Sequence, residues 1–165
     1  MSKTSDNLQA AFAGESQARN KYIAFAMKAD EEGYPQVARM FRAAAAAETI
    51  HAVSHLRALK GVGTTADNLQ AAIAGETHEF ENMYPAMIAD AEAEGDKTAL
   101  RSFNYANEVE KIHAALYQKL ADALGGDQEE YDYYVCPVCG YTAEKEAPER
   151  CPVCNAKGSR FTKVD

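Results

Sequence analysis

The sequence predicts a mainly α protein, an antiparallel four-helix bundle followed by a small metal-stapled β domain. Two observations carry this prediction. Residues 6–15, DNLQAAFAGE, return as residues 67–76, DNLQAAIAGE, with Phe12 against Ile73 as the one difference. All four cysteines, and three of the five prolines, lie beyond Gly125.

The helices follow from alanine-rich stretches punctuated by glycine. The first is expected over Ser5–Glu32 and stops at Gly33-Tyr34-Pro35. The second covers Gln36–Leu59 and stops at Gly61-Val62-Gly63. The third begins after Thr64-Thr65-Ala66-Asp67 and runs to Glu94, before Gly95-Asp96, and the fourth covers Lys97–Leu124, before Gly125-Gly126. Short connections between long helices favour antiparallel neighbours. The domain organisation is therefore a helical bundle over 1–125, an acidic linker over 126–132, and a cysteine domain over 133–165. In that last part Tyr131 to Val135 is β-prone and Arg160 to Val164 reads as a closing strand. A segment so short has too little core to fold unaided, so something must staple it.

A net charge of −8 and a pI near 5.0 argue against a nucleic-acid binder that depends on phosphate contacts. No apolar run is long enough for a transmembrane helix, so no membrane partner is expected. The opening residues MSKTSDNLQ contain no apolar signal core, and the expected location is the cytoplasm.

The duplication reaches beyond the decamers. Glu15 precedes Glu48-Thr49-Ile50-His51, and Glu76 precedes Glu110-Lys111-Ile112-His113, so each half is a helix with one glutamate followed by a helix with Glu-x-x-His. Residues at i and i+3 share a helix face, which aims Glu48 with His51 and Glu110 with His113. Counting from the turns at Gly33 and Gly95 puts Glu15 level with Glu48, and Glu76 level with Glu110. Carboxylates are almost never buried unless paired or bound to metal, so this layer calls for cations. Mixed carboxylate and imidazole donors suit iron or manganese. The halves differ by one residue: Tyr22 follows Glu15 by 7 and Tyr84 follows Glu76 by 8 (22 − 15 and 84 − 76). Helices commonly absorb one inserted residue as a π-bulge, and such bulges favour functional sites. Glu79, standing where the first half has Ala18, is the expected seventh ligand. Tyr22, Tyr84, Tyr105 and Tyr117 read as core aromatics.

Cys136-Pro-Val-Cys139 and Cys151-Pro-Val-Cys154 are two knuckles that make a tetrahedral all-thiolate site. Gly140 and Asn155 directly follow the second cysteine of each, and both residue types tolerate a left-handed backbone. The spacing leaves a zinc ribbon and a one-iron centre both open.

The Glu and Glu-x-x-His constellation resembles that of ferritin-like di-iron proteins. YVCPVCGYT followed by CPVC resembles a rubredoxin-like domain. The whole order NLQAAFAGE, ETIH, NLQAAIAGETHE, EKIH and the CPVC pair resembles rubrerythrin, over essentially the entire chain. The resemblance implies two oxo- and carboxylate-bridged iron ions held by Glu15, Glu48, His51, Glu76, Glu79, Glu110 and His113, and one iron on Cys136, Cys139, Cys151 and Cys154. It implies a peroxidase that reduces hydrogen peroxide to water and protects against oxidative stress. Electrons would reach the tetrathiolate iron from an NAD(P)H-fed reductase or a rubredoxin. A homodimer in which one subunit's tetrathiolate serves the other's di-iron site is also expected. The competing readings are a ferroxidase of the iron-storage type, an oxygen-reducing di-iron oxidase, and an interaction module built on a zinc ribbon.

Overall fold

The computed structural model describes residues 2–126 and 129–164. Of the expected linker, Asp127 and Gln128 lie outside the described residues. The chain forms two compact units, Met1–Gly63 and Thr64–Asp165.

The first unit is a helical hairpin of α1 (Lys3–Glu31) and α2 (Pro35–Ala58). The Ser2 hydroxyl caps α1 by accepting from the N–H of Ser5 at 3.2 Å, which satisfies one of the free amides of a helix start. Pro35 opens α2, where its missing N–H costs nothing. The buried residues are alanines: Ala26 and Ala29 from α1, and Ala38, Ala45 and Ala52 from α2. Side chains this small let the two helix axes approach closely. Tyr22, Phe25 and Phe41 pack as a ring cluster, with Phe25 edge-on to Phe41 at 5.5 Å. Arg42 pairs with Asp30 at 2.6 Å across the hairpin.

The second unit begins with α3 (Thr65–His78), whose start is a reciprocal capping box between Thr64 and Asp67. A π turn, Glu79–Met83, joins α3 to α4 (Tyr84–Glu94), so the third expected helix is continuous but contains one wider turn. The N–H of Tyr84 bonds back five residues to the carbonyl of Glu79. The π turn thus falls inside the 76–84 stretch where the one-residue offset placed it. Pro85 sits immediately downstream and has no N–H to give an ordinary helical bond, which further favours the wider turn. The helix stops at Gly95, in left-handed conformation at φ 72°. The Asp96 side chain then accepts from the amides of Thr98 and Ala99 and starts α5 (Lys97–Asp122).

Three short antiparallel strands complete this unit: β1 (Tyr133–Val135), β2 (Thr142–Glu144) and β3 (Thr162–Val164), in the order β2-β1-β3. Tyr134 lies opposite Ala143 on one side and Lys163 on the other. β1 and β3 occupy the two expected stretches, and β2 is an addition. The fold is thus mainly α with a small cysteine-bearing sheet, as expected. No helix among the described residues is long and apolar enough to cross a membrane.

Candidate metal centres

Each hairpin assembles one ligand triad. In the first unit, α1 presents Glu15 while α2 presents Glu48 and His51, and the three donor atoms lie within 4.8 Å of one another. In the second unit, α3 presents Glu76 while α5 presents Glu110 and His113, within the same limit. The local geometry repeats as closely as the sequence does. His51 Nδ1 is 2.8 Å from Glu48 Oε2, and His113 Nδ1 is 2.8 Å from Glu110 Oε2. Glu76 Oε2 lies 3.8 Å from the same nitrogen of His113. The Nδ1 atom of each ring therefore faces the carboxylates, where one cation would be shared.

Five of these six groups are half-buried and His51 is exposed, and no charged side chain among the described residues is fully buried. Within its own unit, each triad stands on a helical hairpin, which covers it from one side. The crowding is still felt. Burial first, then the charge of Glu110, raises the carboxyl of Glu76 above its ordinary range. Glu79, on the π turn, lies outside the 4.8 Å cluster but within electrostatic reach of it: burial, then Glu76, raises its carboxyl as well. The phenol of Tyr84 is raised by burial and then by Glu110, Glu79 and Glu76. Tyr84 is therefore more than a packing aromatic, since its hydroxyl sits in the field of three carboxylates. The sequence signal was available in its place just past the insertion after Glu76.

Mutually repelling carboxylates beside imidazole nitrogen are a donor set that a divalent cation relieves. The buried Oδ1 of Asn107, three residues before Glu110, has no hydrogen-bond partner among the described residues, which marks the same part of α5 as polar and incompletely satisfied. The residues present therefore fit the metal. A raised Glu pKa means that the folded, metal-free state binds its proton more tightly than the unfolded chain does. Stability of the metal-free protein is accordingly expected to fall as pH rises from the unfolded value near 4.3 through the folded value. Bound metal should abolish that fall. Denaturant titrations across this window, with and without metal, measure it.

The four cysteines converge in the small sheet. Cys136 and Cys154 approach to 3.5 Å between sulfurs, as do Cys139 and Cys151, and all four lie within 4.8 Å. This is far beyond an S–S bond and close to the ~3.8 Å edge of a tetrahedron with ~2.3 Å metal–sulfur bonds. The two knuckles match: Gly140 N–H bonds to the Cys136 carbonyl and Asn155 N–H to the Cys151 carbonyl, both at 2.9 Å. Gly140 at φ 86° and Asn155 at φ 63° take the left-handed backbone expected of them. Burial works against ionising the Cys136 thiol, but backbone N–H groups of Val138 and Cys139 and the neighbouring thiols outweigh it and lower its pKa to about 7. Cys139 is raised, first by burial. A site that readily yields one thiolate and crowds the others is completed by a thiophilic ion.

The cysteine domain rests on α5 within the second unit. Lys119 Nζ binds both oxygens of Glu144, at 2.8 and 2.9 Å, and the Tyr131 hydroxyl donates to the same carboxylate. Thr142 Oγ1 lies 3.0 Å from Nε2 of His113. A cavity of about 300 Å³, lined by Glu76, His113, Leu116, Tyr117, Leu120, Tyr133 and Thr142, opens onto this triad. Thr142 was not anticipated, because nothing in GYT distinguishes it from an ordinary strand residue.

Comparison with known proteins agrees with this arrangement. The family model described as Rubrerythrin matches residues 6–121, and that described as Rubrerythrin, rubredoxin-like domain matches residues 134–162. The chain is 40% identical to Rubrerythrin-2 of Clostridium acetobutylicum, covering 96% of this chain and 95% of that protein. It is 37% identical to Nigerythrin of Nitratidesulfovibrio vulgaris, covering 96% and 85% respectively. Among solved structures, fully reduced, all-ferrous nigerythrin matches with a TM-score of 0.61 at 34% identity, over 99% of this chain and 88% of that one.

Proposed function

The chain belongs to the rubrerythrin family, a family of oxidoreductases, and from that premise we propose that it reduces hydrogen peroxide to water. The observation that carries the proposal is the repeated Glu, Glu, His triad in a chain that also holds a four-thiolate site. Glu15, Glu48 and His51 would hold one iron and Glu76, Glu110 and His113 a second, with Glu79 as an added carboxylate. Cys136, Cys139, Cys151 and Cys154 would hold a third.

Reduction of one peroxide to two waters takes two electrons and two protons, and a pair of irons supplies the electrons without either exceeding the ferric state. The protein's part is to position and to hold protons. The phenol of Tyr84, raised further by burial and by the carboxylates around it, keeps a proton beside the triad at neutral pH. The cavity over Glu76 and His113 is lined largely by Leu116, Leu120 and aromatic rings, so it admits a molecule as small as peroxide and offers bulk water few partners.

Electrons would enter at the four-cysteine site from an NAD(P)H-fed reductase or a rubredoxin. A homodimer with delivery between subunits is the arrangement expected from the family. The 3.0 Å contact of Thr142 with His113 favours a second arrangement, delivery within one chain. Subunits lacking Cys136, mixed with subunits lacking Glu110, separate the two: only delivery between subunits restores turnover in the mixture.

The primary test is metal analysis with a visible spectrum, followed by anaerobic addition of stoichiometric peroxide to the reduced protein. Three irons per chain and prompt reoxidation are expected. Faster reoxidation by dioxygen than by peroxide would overturn the assignment in favour of an oxidase, and a cage-sized assembly in light scattering would favour storage.

A further inference from the structure

The two imidazoles occupy equivalent places in the repeat, yet their outer nitrogens differ. His113 Nε2 meets Thr142 Oγ1 at 3.0 Å, and Thr142 Oγ1 is also 3.2 Å from the carbonyl of Gly140. A threonine hydroxyl has one hydrogen. Donated to the Gly140 carbonyl, which can only accept, that hydrogen leaves Oγ1 as an acceptor, so Nε2 of His113 must be the donor. The hydrogen is then on Nε2, and the Nδ1 lone pair faces carboxylate oxygens of Glu110 at 2.8 Å and Glu76 at 3.8 Å, acceptors against an acceptor, which a shared cation would join. This is the tautomer in which an imidazole binds a metal through Nδ1. His51 has the same inner contact with Glu48, but among the described residues its Nε2 meets no hydrogen-bond partner. Its side chain is 55% exposed against 27% for His113. Nothing of this kind selects its tautomer or holds its ring.

We propose that Thr142 is a positioning residue: from the cysteine domain, it fixes His113 in the metal-binding tautomer, and so makes the Glu76/Glu110/His113 triad the tighter of the two metal sites. Metal-bound histidines commonly donate their second N–H to an oxygen, and losing that partner weakens metal binding about 10- to 100-fold. Here the partner comes from a different structural element, β2, which holds its place only when the four-cysteine site is folded. Loading of the second triad is thereby tied to the integrity of the cysteine domain. The clasp of Lys119 and Tyr131 on Glu144, two residues along the same strand face, holds β2 in that position.

The inference rests on the triads being metal sites, and its test separates the two claims. Iron-loaded full-length protein is challenged with increasing concentrations of an iron chelator, and the iron retained per chain is counted. Wild type is expected to release its bundle irons in two steps. Thr142→Val should release the tighter one at roughly tenfold lower chelator, with the visible bands of the four-cysteine site unchanged, and Thr142→Ser should behave as wild type. Wild-type release for Thr142→Val, or equal losses for the Val and Ser variants, would overturn the proposal. A wild-type protein holding iron only at the cysteines would instead overturn the reading of the triads. Should Thr142→Val lose its cysteine bands, ring nitrogen-15 shifts of His113 in wild type given one zinc per chain, enough for the cysteines alone, decide the matter. A hydrogen on Nε2 supports the proposal, and a hydrogen on Nδ1 defeats it.

Discussion

Replacing Cys151 by serine will unfold residues 133–164 while leaving the helices in place. The three strands have three residues each, and the buried side chains of this domain are Cys136, Ala143 and Cys151. Such a core removes too little apolar surface from water to offset the conformational entropy of ordering the segment. The metal supplies the difference: apparent binding free energies of about 10–16 kcal/mol hold comparable all-protein zinc sites together. A serine oxygen is a poor replacement for a thiolate inside a tetrahedral sulfur cage. Trypsin should then cut at Lys145, Arg150 and Lys157, the visible bands should vanish, and far-ultraviolet helicity should stay near that of wild type. Unchanged protection of these sites would show that the sheet is held by its own packing.

Replacing Glu110 by alanine is expected to cost one iron per chain and to slow peroxide reduction roughly 10³-fold or more, a loss of about 4 kcal/mol in the barrier. Glu110 occupies the centre of its triad. It lies 2.8 Å from His113 Nδ1, and its charge contributes to the raised carboxyl of Glu76. Removing it takes away a direct ligand and relieves the repulsion that a cation would otherwise neutralise. Glu110→Gln separates these effects, since it keeps the shape and loses the charge. Metal counting and stopped-flow reoxidation, with the four-cysteine spectrum as internal control, check both variants. Full iron content with full turnover in Glu110→Ala would remove the second triad from the chemistry.

Much of this architecture was legible because the relevant signals are local. Gly33 and Gly95 mark turns that only a reversal of direction requires, and from them the levels of Glu15 with Glu48 and of Glu76 with Glu110 follow by counting. The π turn at Glu79–Met83 could be placed because a duplicated sequence provides its own reference, and one surplus residue between Glu76 and Tyr84 stands out against it. The left-handed residues Gly140 and Asn155 were legible from their position after CPVC. What escaped notice is non-local. β2 has three residues, too few for an alternating pattern, and it exists because β1 pairs with it. Thr142 acquires its role from a helix 29 positions earlier in the chain. Enclosure of the triads was not legible for a related reason: counting along helices gives level, whereas enclosure depends on what surrounds the hairpin.

The wide turn at Glu79–Met83 makes the reach of one carboxylate depend on a single codon. Deleting one residue there would bring the second half into the same length as the first, and Pro85 would then stand inside a regular helix with no N–H to give. The deletion would also swing Glu79 around the helix axis and erase the asymmetry between the halves.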